Sequence, residues 1–319
     1  MDELNLDRPF RILALDGGGA KGFYTLGVLD EIEKNSAKPI FQSFDLIFGT
    51  STGAIIAALL ARGDSVDQVM QIYTSNVPTI MQQSTVVSRT KSLHAVAAQV
   101  FSGTTVNDFK TGIGIVATNW HDERPMIFKV SQTQAHGSVG SFVPFFGCSV
   151  ADAVIASCSA YPFFETYTVT KANGDVVEVG DGGFCANNPT LYAIADATKA
   201  LGKQNSELRI VSIGVGAYPS PKIVKRMRKV LIDFMHFSRY WLGSDFLQKI
   251  LNTNTNSMDT IRNILFKDVQ TIRINDTFAD PALATDLLEH DLEKLNKLTQ
   301  KGRISYQREE SKLKEYLNY

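Results

Sequence analysis

Strands alternating with helices along residues 10–215 predict an α/β protein with a mainly parallel central sheet. Three stretches carry that expectation. Phe10–Leu15 is an apolar strand that runs into a glycine-rich turn, after which Leu26, Val28, Leu29 and Ile32 recur at helical spacing. Phe44–Phe48 is a second apolar run, followed by Gly49-Thr50-Ser51-Thr52-Gly53 and then the small, apolar run Ala54–Leu60. Leu208–Ile213 is a third strand, entered from a helix and left through Gly214-Val215-Gly216.

The remaining elements follow in order. Val66–Tyr73 has a helical pattern. Residues 78–92 are rich in Thr, Ser and Gln and read as a loop over the site, a candidate lid. Leu93–Phe101 reads as a helix, and Gly112–Asn119 and Pro125–Val130 as strands joined by a turn at Asp122-Glu123. The apolar stretch Phe142–Phe146 is expected in the core. Val150–Ala160 is a small-residue helix stopped by Pro162. Val176–Gly180 is a strand leading into Asp181-Gly182-Gly183, and a helix follows Asn187-Asn188-Pro189 to about Leu201. Beyond Pro219 a basic helix, Lys222–Lys229, is expected to continue through Trp241, with 219–245 a second candidate lid. Asn252–Asn256 should break the helical pattern, Asp268–Asn275 should contain a strand, and a leucine stripe from Leu283 to Leu298 should form a helix ending before Gly302. With no repeat and no dividing linker, residues 1–319 are expected to form a single domain, with 216–319 a mostly helical elaboration.

Composition bounds the partners. The 319 residues are 44% hydrophobic, enough for a large core, and the net charge of −1 gives no global attraction to DNA or RNA. Cys148, Cys158 and Cys185 lack any Cys-x-x-Cys spacing and read as reduced, buried thiols. The start Met1-Asp2-Glu3-Leu4-Asn5 is acidic rather than signal-like, and no apolar run reaches the ~18 residues of a membrane span. A cytoplasmic protein is expected, one that reaches any lipid from the aqueous side.

Gly49-Thr50-Ser51-Thr52-Gly53 is a Gly-x-Ser-x-Gly nucleophile elbow in its strand–turn–helix context. The glycines let strand and helix pass closely while Ser51 is held on a sharp turn. The earlier block, Asp16-Gly17-Gly18-Gly19-Ala20-Lys21-Gly22, also matches the dinucleotide fingerprint Gly-x-Gly-x-x-Gly. That fingerprint asks for an acidic residue ending the next strand, where this chain has the elbow. A phosphate-binding Walker loop is excluded, because Lys21 is followed by glycine. The remaining use of such a loop is an oxyanion hole.

An elbow serine needs a base. His94, His121 and His136 precede Asp181, and only His236 or His290 could complete the serine–acid–histidine order. Neither has a turn signal around it. Asp181 follows a strand and precedes two glycines, and exclusion of water would raise its basicity above that of a free carboxylate.

The blocks Asp16–Gly22, Gly49–Gly53 and Asp181–Gly183, in that order, resemble the signature blocks of patatin-like phospholipases, as do Ala160-Tyr161-Pro162 and Asn187-Asn188-Pro189. The resemblance covers about residues 10–215. It implies a patatin-like three-layer α/β/α fold and a serine–aspartate dyad, with Ser51 the nucleophile and Asp181 the base. It also implies an oxyanion loop within Gly17, Gly18, Gly19, Ala20, Lys21 and Gly22, no metal and no cofactor for the chemistry, and hydrolysis of membrane phospholipid acyl esters. Gly183 stands where many members have alanine. The compact chain is similar to bacterial patatin-like effectors of antiphage (CBASS-type) signalling, which cyclic oligonucleotides activate. That implies a cyclic dinucleotide activator; the basic Lys222–Lys229 segment is a candidate contact for a nucleotide phosphate or for an anionic membrane, and a homo-oligomer stays open. The rivals are a hydrolase of soluble acyl esters or thioesters, a non-catalytic lipid-binding module, and a dinucleotide-dependent enzyme using the first glycine block.

Overall fold

The computed structural model describes residues 8–136, 139–218, 244–280 and 283–319, with 244–246 described by backbone alone. The basic segment 222–229, most of the second candidate lid, and His236 lie outside the described residues.

The chain opens with β1 (Phe10–Leu15), the glycine loop, α1 (Gly22–Ser36), a short α2 (Ile40–Ser43), β2 (Leu46–Thr50) and α3 (Thr52–Arg62). Two long helices follow, α4 (Val66–Met81) and α5 (Val86–Val100), then β3 (Gly112–Asn119), β4 (Arg124–Lys129) and α6 (Val150–Cys158). Next come β5 (Tyr167–Thr170), β6 (Val176–Asp181), α7 (Gly183–Ala186), α8 (Thr190–Ala195) and β7 (Leu208–Ile213). The helix Ser244–Leu265, β8 (Gln270–Ile274) and the C-terminal helix Leu292–Leu317 complete the fold.

The strands form one sheet in the order β5-β6-β3-β2-β1-β7-β8, with β4 also paired to β3. The run from β3 through β2, β1 and β7 to β8 is parallel, while β4, β5 and β6 join antiparallel. Side chains alternate between two cores. Ile12, Phe48 and Ile210 face α8, whereas Leu13, Leu15, Ile47 and Val211 join the larger core with α1, α3, α4, α6 and the C-terminal helix. Helices thus cover both faces, the arrangement a buried parallel sheet requires.

Three expectations change. Residues 78–92 are mostly helical and not a loop: only residues 82–85 separate α4 from α5. Among the residues that suggested a loop, Thr85 caps α5 and Thr90 is buried within it. Thr85 accepts from the Ser88 N–H, and Ser65 at the start of α4 accepts from Gln68. The Asn252–Asn256 stretch does not break a helix but lies within the 22-residue Ser244–Leu265 helix, where Asn254 and Thr255 bond to Asn187. The leucine stripe is not one helix. Leu283–Asp291 is irregular, Asp291 caps the C-terminal helix by accepting from Glu293, and that helix runs on through Gly302. Strand β5 went unpredicted.

Gly302 survives inside a helix because it sits at a crossing. A Cβ there would stand 2.1 Å from the Tyr24 carbonyl oxygen, and one on Gly27 would stand 2.1 Å from that of Thr299. The two glycines let α1 and the C-terminal helix touch backbone to backbone. In an open helix Gly→Ala gains about 1 kcal/mol. At this crossing the clash with an immovable backbone oxygen outweighs that gain. Gly302→Ala is therefore expected to lose about 1–3 kcal/mol in urea unfolding; a net gain would mean the helices do not meet here.

Candidate active site

The site is assembled by β3. Its residue Val116 pairs with Thr50, the last residue of β2, and the next residue, Ala117, pairs with Asp181, the last of β6. Two strands running in opposite senses therefore meet end to end along one edge of β3. Ser51 leaves one and Asp181 ends the other.

The elbow is tight. Ser51 has φ 53° and ψ −122°, a conformation L residues rarely hold. A Cβ on Gly49 would lie 2.2 Å from the Gly53 carbonyl oxygen, and one on Gly53 would lie 2.3 Å from that of Leu15. Neighbours hold the turn in place. The Ser51 N–H donates to Ser157 Oγ at 2.8 Å, and that hydroxyl donates to the Val116 carbonyl at 2.5 Å. Thr50 Oγ1 donates to the Ala186 carbonyl at 2.7 Å, and the Tyr73 hydroxyl donates to the Thr52 carbonyl at 2.7 Å.

Asp181 is 2% exposed. Its carboxylate accepts from the Gly183 N–H at 2.6 Å, and the Gly182 N–H donates to the Ser157 carbonyl at 3.3 Å. Burial pushes the Asp181 carboxyl up to about 6, against hydrogen bonds from the Ser51 hydroxyl and the Gly183 N–H that pull it down. A carboxylate so raised is a stronger base than a free one, yet it is still ionised at neutral pH.

Of the block Gly17–Gly22, Gly18 and Gly19 line the pocket with Ser51, Thr52 and Asp181. Among the described residues their N–H groups have no hydrogen-bond partner. The other four residues anchor the loop. Gly17 N–H donates to the Asn187 carbonyl at 3.0 Å and Ala20 N–H to that of Leu287 at 3.2 Å. Gly22 starts α1 against Thr52 and Tyr73. Lys21 is buried; its Nζ donates to Gln248 Oε1 at 2.9 Å, and burial lowers it to about 8. Asp16, at the loop's entrance, is clamped by Arg273 from β8 at 2.5 Å, and Arg273 also bonds Asp259 at 3.0 Å.

The sequence reading missed several supports. Ser157 stood only as one of many small residues in a helix. Arg273 lay in a predicted strand between Ile272 and Ile274, and a charge at a strand position with apolar neighbours was the available signal for a buried partner. Leu251, Leu287 and Leu288, which close the pocket, come from segments without a motif. His290 is exposed, with its ring against the Leu288 carbonyl, and no histidine among the described residues lines the pocket.

The model of the family described as patatin-like phospholipase matches residues 13–194. The chain belongs to the patatin-like phospholipase family. It is 55% identical over 317 residues to a cUMP-AMP-activated phospholipase of Escherichia coli, covering 99% of this chain and 97% of that one. It is 30% identical to a cGAMP-activated phospholipase of Pseudomonas aeruginosa, over 64% of this chain and 62% of the relative. A likeness to Patatin-like protein 3 of Arabidopsis thaliana stands at 25% identity over 65% of this chain and 58% of the plant protein.

Two outcomes follow from this geometry. If Asp181 takes the proton it must be ionised, so kcat/KM should fall about tenfold per pH unit below about 6 and level off above it. A pH–rate profile flat from pH 5 to pH 7 (roughly one unit either side of that value) would exclude it as the titrating base. Arg273→Leu leaves the Asp16 carboxylate buried without its cation and should cost about 3–5 kcal/mol in urea unfolding.

Proposed function

We propose that the chain is a phospholipid acyl hydrolase working through Ser51 and Asp181, switched on by a cyclic dinucleotide. The observation that carries the chemistry is one apolar pocket holding Ser51, Asp181 and the free N–H groups of Gly18 and Gly19.

Each step uses groups already placed. Ser51 Oγ attacks the ester carbonyl while Asp181 takes its proton, and the oxyanion rests on the Gly18 and Gly19 N–H groups, each worth roughly 3 kcal/mol in such a role. Collapse expels the alcohol, which carries off the proton from Asp181. Water then gives a proton to Asp181 and attacks the acyl-enzyme; fatty acid leaves and Ser51 recovers its proton. These steps call on protein groups alone. The apolar walls exclude water and favour a lipid acyl group over a polar ester. Among the described residues no single helix is long and apolar enough to cross a membrane, which fits attack from the aqueous side.

Activation is inferred from the relative 55% identical over nearly the whole chain, itself named for cUMP-AMP activation. A membrane-degrading phospholipase under nucleotide control suits antiviral defence, with the protein in the cytoplasm and acting on the inner membrane face. The test is fatty-acid release from mixed phospholipid vesicles across a panel of cyclic dinucleotides. Release by the wild type with cUMP-AMP, none with Ser51→Ala and nearly full release with His290→Ala is expected. Equal release without any nucleotide would remove the switch, and release by Ser51→Ala would remove the nucleophile.

A further inference from the structure

We propose that the groove between α4 and α5 is the seat of the ester's acyl chain and sets the enzyme's chain-length preference. The proposal rests on Ser51 being the nucleophile. It adds where the hydrocarbon goes.

The pocket at Ser51 does not end at the dyad. Ile55, Val77, Ile80 and Leu93 belong both to its wall and to the wall of a second apolar cavity between α4 and α5. The two cavities therefore adjoin across these four side chains. The near end is marked by Met81 and Leu93 and the far end by Ile72, Val100 and Phe101. Leu93 to Val100 is seven helical steps, so this arm adds about 10 Å beyond the catalytic pocket.

Its chemistry selects hydrocarbon. Only two side chains in the second cavity carry polar groups, and both are turned inward: Tyr73 OH donates to the Thr52 carbonyl at 2.7 Å, and Asn76 Nδ2 donates to that of Ile72 at 2.8 Å. A ligand with hydroxyls or charges would lose its water here without a replacement partner, whereas a methylene chain loses nothing. Val77 and Ala97, both small, leave room in this wall. Its place beside the pocket that holds Ser51 makes the acyl chain, and not a separate ligand, the occupant.

The test uses alkyl fluorophosphonates from butyl to dodecyl on the full chain with cUMP-AMP present. Ser51 Oγ forms a bond to phosphorus, the P–F bond breaks, fluoride leaves, and Asp181 accepts the serine proton. The readout is the rate of mass gain at Ser51. The wild type is expected to favour dodecyl over butyl by at least about tenfold, a margin that burial of two methylenes would supply. Ala97→Leu, which fills the middle of the arm, and Val100→Trp, which fills its partly exposed far end, should each cut that ratio about fivefold or more. Ratios unchanged in both variants would overturn the groove while leaving the nucleophile standing. Absence of any label on Ser51 in the wild type would instead overturn the reading on which the groove rests.

Discussion

The end-to-end meeting of β2 and β6 on one edge of β3 is the constraint from which the site follows. Val116 pairs with Thr50 and Ala117 with Asp181. A one-residue slip of either strand would turn its side chains to the other face and part the serine from the carboxylate. The glycines of the elbow, the hydroxyl of Ser157 and the bond from Gly183 to Asp181 all serve to hold that junction. The antiparallel β6 is essential here, since a parallel strand would deliver its last residue elsewhere. A mainly parallel sheet thus gains the buried carboxylate of Asp181 from the part that is not parallel.

Further contacts tie the glycine loop to the C-terminal third of the chain. Asn187 bonds the Gly17 carbonyl and Thr255; Arg273 spans Asp16 and Asp259; Gln248 holds Lys21; the Leu287 carbonyl accepts from Ala20. Asn187 precedes β7 and is itself held by Thr255; the other contacts come from residues beyond β7.

Much of this was legible in the sequence because the relevant elements are locally determined. Apolar runs with glycine turns marked β1, β2, β3 and β7, and the Ser51 elbow and Asp181-Gly182-Gly183 stood out by residue type and order. What escaped was decided by distant partners. Asn254 and Thr255 look like helix breakers until Asn187 is seen to bond them, and Gly302 looks like a helix stop until Tyr24 is seen to lie against it. Within 78–92, Thr85 caps α5, Lys91 is exposed, and Arg89 and Thr90 are buried against Phe163 and Glu165, a distinction that depends on which side meets the core. Strand β5, only four residues long, exists because β6 offers it an edge.

The central claim is that Asp181 alone serves as the base for Ser51. Single-turnover acylation of Asp181→Asn by a fluorogenic long-chain ester, with cUMP-AMP present, tests it most directly. The substitution keeps size and removes the proton acceptor. The account predicts no acyl-enzyme on Ser51 over times in which the wild type is fully acylated. Acylation at a rate near that of the wild type would contradict it and would require another base.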